Sequence, residues 1–84
     1  MSKGEPIVFV VDDDESVRES LVLLIESAGW RAQTFPSARE FLALPAVLAP
    51  SCLVLELLLP DLNGCELLRL LADRTDMPVI FISG

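Results

Sequence analysis

The sequence predicts an α/β fold in one domain, a parallel sheet covered by helices, with elements in the order β-α-β-α-β-α-β. Three observations carry this reading. Ile7–Val11 and residues 52–59 are nearly unbroken apolar runs, the pattern of strands covered on both faces. Between them the apolar residues recur at helical spacing instead. Turn residues mark each change of period after only a few positions, which implies parallel strands joined by right-handed crossovers.

The first strand, Ile7–Val11, is β-branched and aromatic and stops at Asp12-Asp13-Asp14-Glu15. From Ser16 the chain reads as a helix with Val17, Leu21, Leu24, Ile25 and Ala28 as its inner stripe, and Arg18, Glu19 and Glu26 mostly off it. Asp14 is one candidate cap, Ser16 with Glu19 is a second, and Gly29 suits the C-terminal end. Residues 30–35 alternate as an edge strand does, with Trp30 as its packing anchor, until Pro36-Ser37 breaks them. Ser37 and Glu40 make a capping box for a short helix reaching about Leu44. Pro45 and Pro50 bracket a loop too short to be a domain linker.

The third strand, 52–56, runs into the loop Leu57-Leu58-Leu59-Pro60-Asp61-Leu62. A partner covering this apolar loop and packing within its own chain are both compatible with it. Asn63 and Glu66 form a capping box for a helix with Leu67, Leu68, Leu70 and Leu71 on its inner side. Met77-Pro78 leads into the fourth strand, 79–82. No repeat or low-complexity tract interrupts this order.

Composition narrows the function. A chain of 84 residues holds a single domain, 1–84, and buries only about 60–65% of its unfolded surface. With 52% hydrophobic and 23% charged residues it is not a disordered chain. Its 6 Lys and Arg are scattered and its net charge is −7, which argues against a nucleic-acid surface and for a cation or a basic partner. The absence of His excludes a His-containing zinc site or catalytic triad. Cys52 and Cys65 lack metal-ligand spacing and read as small buried hydrophobes. No stretch approaches the roughly 18 apolar residues of a membrane span, and the N-terminus lacks a secretory pattern, so a cytoplasmic location is expected. Neither a dinucleotide fingerprint nor a Walker motif occurs.

The chemistry converges on strand ends. Asp12 and Asp13 follow the first strand, and Glu56 closes the third. A lone Glu in such a run is costly to bury, so it is either a site residue or a strand end reaching water. If the two strands are neighbours, three carboxylates meet where open α/β sheets place their ligands. Such carboxylates repel unless a proton or cation intervenes, and Mg²⁺ is the natural occupant. The competing reading is that residues 12–15 only cap the first helix.

Val-Val-Asp-Asp-Asp-Glu-Ser-Val-Arg-Glu-Ser-Leu (10–21), Leu-Val-Leu-Glu-Leu-Leu-Leu-Pro-Asp-Leu-Asn-Gly-Cys-Glu-Leu-Leu (53–68) and Pro-Val-Ile-Phe-Ile-Ser-Gly (78–84) resemble the receiver domain of two-component response regulators, in particular the nitrogen-fixation subgroup. The resemblance covers nearly the whole chain. It implies a flavodoxin-like, three-layer sheet of order 2-1-3-4 and a sensor histidine kinase as phosphoryl donor. It also implies Asp12 and Asp13 as Mg²⁺-holding acids, aided by the Leu58 carbonyl, with Glu56 at the phosphoacceptor position and Ser83 as the switch hydroxyl. Pro60 and Gly64 resemble the loop that shapes the site.

Two departures qualify that inheritance. The family's phosphoacceptor is Asp, whereas Glu56 is one methylene longer and displaces its carboxylate by about 1.5 Å. Errors on that scale cost in-line transfer ~100-fold. Imitation of the phosphorylated state and plain inactivity are both compatible with Glu56. The family also continues through a fifth strand carrying a Lys and two more helices, whereas this sequence stops at Gly84. That leaves the fourth strand as an open apolar edge, which invites homodimer formation, unless the chain is unstable or part of a longer regulator. The expectation is a non-enzymatic signalling module acting through protein–protein contacts, with Mg²⁺ held weakly if at all. An active Mg²⁺-dependent phosphoacceptor is the alternative. A haloacid-dehalogenase-type phosphohydrolase using Asp12-x-Asp14 ranks lower, because its downstream Thr and Lys motifs are missing.

Overall fold

A computed structural model describes residues 5–45, 50–72 and 77–82. Its elements are β1 (Ile7–Val11), α1 (Glu15–Ser27), β2 (Arg31–Phe35), α2 (Ala38–Leu42), β3 (Ser51–Glu56), α3 (Gly64–Ala72) and β4 (Val79–Ile82). The four strands form one sheet in the order β2-β1-β3-β4, and every pair is parallel. The fold class is the one the sequence pattern predicts, and the strand order is the one the family resemblance implies.

β1 sits between β2 and β3 and is buried along its whole length, which explains why it alternates with nothing polar. Its odd positions, Ile7, Phe9 and Val11, join Phe35, Leu53 and Leu55 beneath Ala38 and Phe41 of α2 and Leu67 and Leu71 of α3. Its even positions, Val8 and Val10, face the other layer and pack on Ile25 of α1, with Leu21, Ala32, Cys52 and Val54 around them. The period-2 alternation of one strand thus builds two cores, one on each face of the sheet. Phe9, Phe35 and Phe41 meet edge-on or tilted, with ring centroids 5.4–6.2 Å apart.

The helices are set by their ends. Asp14 caps α1, its Oδ1 accepting from the backbone N–H of Ser16 (2.8 Å) and Val17 (3.3 Å). Ser16 therefore lies inside the helix, and the alternative box with Glu19 does not form the cap. At the other end Gly29 adopts φ +93°, while the N–H of Gly29 reaches the Glu26 carbonyl and that of Trp30 the Ile25 carbonyl. That pair of bonds is a Schellman closure, and it requires the left-handed residue that glycine supplies.

Several expected faces are corrected. Leu24 is 66% exposed and Ala28 is also exposed, so the inner face of α1 is narrower than the predicted stripe and centres on Ile25. In α3, among the described residues, Leu67 and Leu71 are the buried ones, while Leu68 and Leu70 face solvent. Cys65 is exposed rather than a core residue; Cys52 is half-buried against the α1-side core. Trp30 precedes β2 and is exposed, so it does not anchor that strand in the core.

Candidate functional site at the carboxyl end of the sheet

The register of β1 on β3 pairs Val11 with Leu55, so the next residues, Asp12 and Glu56, leave neighbouring strands side by side. Asp12 is still held to the sheet, its N–H donating to the Phe35 carbonyl at 3.1 Å. Its Oδ1 accepts from the N–H of Asp14 at 2.9 Å, and Arg18 Nη1 donates to its backbone carbonyl at 2.7 Å. These contacts fold residues 12–14 into a fixed turn whose last member caps α1. Asp13 stands exposed on that turn.

Asp12 is only 2% exposed and Glu56 8%. Burial pushes the Asp12 carboxyl above its ordinary range; the negative charges of Glu56, Asp13 and Asp14 add to the rise, and the Asp14 N–H opposes it. The coupling to Glu56 is the electrostatic signature of two acids meeting at adjacent strand ends.

Glu56 turns back on its own loop, where its Oε2 accepts from the Leu58 N–H at 3.2 Å. Leu57 continues the β3–β4 ladder through its N–H to the Ile82 carbonyl (3.1 Å). The apolar loop divides its leucines, with Leu59 buried in the core and Leu58 74% exposed. Further along, Asp61 reaches across to α2. Its Oδ1 accepts from the Ala38 N–H (3.3 Å) and its Oδ2 from the Arg39 N–H (3.0 Å).

The predicted site residues are therefore placed as follows. Asp12 and Glu56 come together and are buried; Asp13 is beside them on the surface. Leu58 addresses the Glu56 carboxylate through its N–H. Ser83 lies outside the described residues. Asp14 caps α1 and so does not pair with Asp12 as an Asp-x-Asp motif would. Arg18 and Asp61 were not singled out from the sequence; the bonds of Asp61 span 22–23 residues, and no local pattern announces them.

The oxygens present are the hard donors Mg²⁺ prefers. Among the described residues, however, no group of three acids is gathered closely enough to hold a metal ion. Asp12 and Glu56 each have an oxygen bonded to a backbone N–H, and Asp13 faces solvent. As arranged, these residues do not fit a divalent ion.

The fold agrees with the comparisons. The response regulator receiver domain family matches residues 8–84. The chain belongs to that family. Over 85 residues the receiver domain is 40% identical to the response regulator protein TmoT of Ectopseudomonas mendocina, covering 100% of this chain and 39% of that protein. The transcriptional regulatory protein FixJ of Bradyrhizobium diazoefficiens is 39% identical over 79 residues, covering 92% of the chain and 38% of FixJ. Among solved structures, that of the response regulator StyR superposes with a TM-score of 0.89 at 43% identity, covering 96% of this chain and 41% of StyR. The receiver domain thus spans about two fifths of the length of these relatives. It is a two-component receiver module of the signalling kind, and no helix among its described residues is long and apolar enough to cross a membrane.

Proposed function

We propose that this receiver domain signals without taking up a phosphoryl group in the ordinary way, and that it does so in the cytoplasm by contact with a sensor histidine kinase or another signalling protein. The observation that supports this is the state of Glu56, which is buried beside Asp12 with its carboxylate bonded to the Leu58 amide. A nucleophilic acid must present an oxygen in line with phosphorus, and this one is displaced by a methylene and has one of its two oxygens engaged by the Leu58 amide. Its negative charge already sits near the position an aspartyl phosphate would occupy, although one carboxylate lacks a phosphate's ~2 charges and three oxygens.

Incubation with acetyl phosphate, with and without Mg²⁺, followed by intact-mass spectrometry tests the reading. The wild type is expected to remain unmodified, and Glu56→Asp to gain a phosphoryl adduct. A stable adduct on Glu56 itself would overturn the proposal. Mg²⁺ is held weakly if at all, and millimolar or tighter affinity by calorimetry, lost in Asp13→Asn, would show that the three acids do gather.

The partner surface includes the edge of β4. Ile80 is 55% and Phe81 40% exposed on a strand that, among the described residues, pairs with β3 alone. We propose that these exposed apolar side chains form a surface for a second copy of the chain.

A further inference from the structure

The first turn of α2 is satisfied from two sources. Ser37, the residue before the helix, accepts from the Glu40 N–H at 3.2 Å and leaves the first two amides without a local partner. Asp61, from the loop after β3, accepts from both, one carboxylate oxygen to each of Ala38 and Arg39. α2 has only five residues, too few to persist by itself, but Ala38 and Phe41 are buried in the core and fix it in place. The loop holding Asp61 is also the loop whose Leu58 amide bonds Glu56, and Leu59 between them is locked in the same core.

We infer that Asp61 is a positioning residue for the Glu56 site: by clamping loop 57–63 to the start of α2, it holds the Leu58 amide against the Glu56 carboxylate. The site and α2 then move as a unit. A change at Glu56 reaches α2 through the loop, and a protein bound at α2 alters the setting of Glu56 by the same route. The inference deepens the reading of Glu56 proposed above and names a route by which that site is regulated.

Amide hydrogen exchange on ¹⁵N-labelled full chain tests it, comparing wild type with Asp61→Ala and Asp61→Asn. In Asp61→Ala the Ala38 and Arg39 amides are expected to exchange about tenfold faster, and the Leu58 amide to accelerate with them. The Leu58 amide proton is also expected to shift upfield as its bond to the carboxylate lengthens. Asp61→Asn keeps one acceptor oxygen and is expected to fall between the two. Val10, buried in β1, serves as the reference and stays protected. Faster exchange at Ala38 and Arg39 with Leu58 unchanged would reduce Asp61 to a helix cap and overturn the inference. Unchanged exchange at Ala38 and Arg39 would overturn it as well. Equal loss of protection at Val10, or an unfolded spectrum in both variants, would mean general loosening and would also overturn it. The exchange comparison is made on unphosphorylated protein, so a phosphoryl adduct formed on Glu56 in a separate incubation defeats the functional reading without deciding the Asp61 clamp, and the two failures are separable.

Discussion

Asp12 sits almost without solvent next to a second carboxylate, and its raised pKa follows first from that burial and then from Glu56. Its folded-state value lies above the ordinary 3.8. The neutral form is therefore the one the fold favours: its contribution is fully present below the unfolded value and is lost as pH rises through the folded value. Asp12→Asn keeps an acceptor for the Asp14 N–H and removes the charge. With EDTA present, it is expected to melt higher than wild type at neutral pH. The advantage should shrink as pH falls towards the unfolded value; thermal unfolding across that range checks both sign and window. Leu67 makes a simpler case. It is fully buried under the sheet, and Leu67→Ala is expected to cost about 2–5 kcal/mol in denaturant unfolding, whereas Leu68→Ala, on the exposed side of the same helix, should cost far less.

At the scale of elements, α1 is defined by its two ends more than by its face. Removing the cap in Asp14→Ala is expected to cost about 1 kcal/mol. Gly29→Ala is expected to cost about as much for a different reason. A Cβ there meets nothing within 4 Å, so the penalty is conformational, set by φ +93° alone. Gly29→Asn should recover part of it, and urea unfolding of the three variants distinguishes the two mechanisms. The caps were legible in the sequence because their partners lie two or three residues away. The faces of α1 and α3 were not, because runs such as Leu21-Val22-Leu23-Leu24-Ile25 are apolar in nearly every direction, and periodicity cannot select a side. β1 and β3 were legible because a strand buried on both faces writes itself as an unbroken apolar run. Of the site, Asp12 and Glu56 could be paired once the strands were taken as neighbours. The Asp61 clamp and the Phe9–Phe35–Phe41 cluster join residues distant in sequence, and only the assembled fold reveals them.

For the molecule as a whole, edge exposure and net charge oppose each other. The Pro78 and Ile82 carbonyls accept from the β3 side, so strand alternation turns the Phe81 N–H and carbonyl outward. The chain's charge of −7 repels a second copy. Self-association is therefore expected to rise with concentration and with salt, which screens that repulsion. Ile80→Lys, which charges the exposed strand, and Phe81→Pro, which removes an outward donor, are expected to keep the chain monomeric in light scattering. A wild type that stays monomeric at high concentration and high salt would count against the β4 interface.

The central place of β1 has a consequence for synthesis on the ribosome. The strand made first is flanked on one side by β2, which follows it closely, and on the other by β3, which is translated only after two helices. Until Ser51–Glu56 emerges, one row of β1 amides and carbonyls has no mate, and part of its apolar surface is bare. The nascent chain thus passes through a window of vulnerability to chaperones and to wrong pairings, one that closes only when the acidic tip of the third strand arrives beside that of the first.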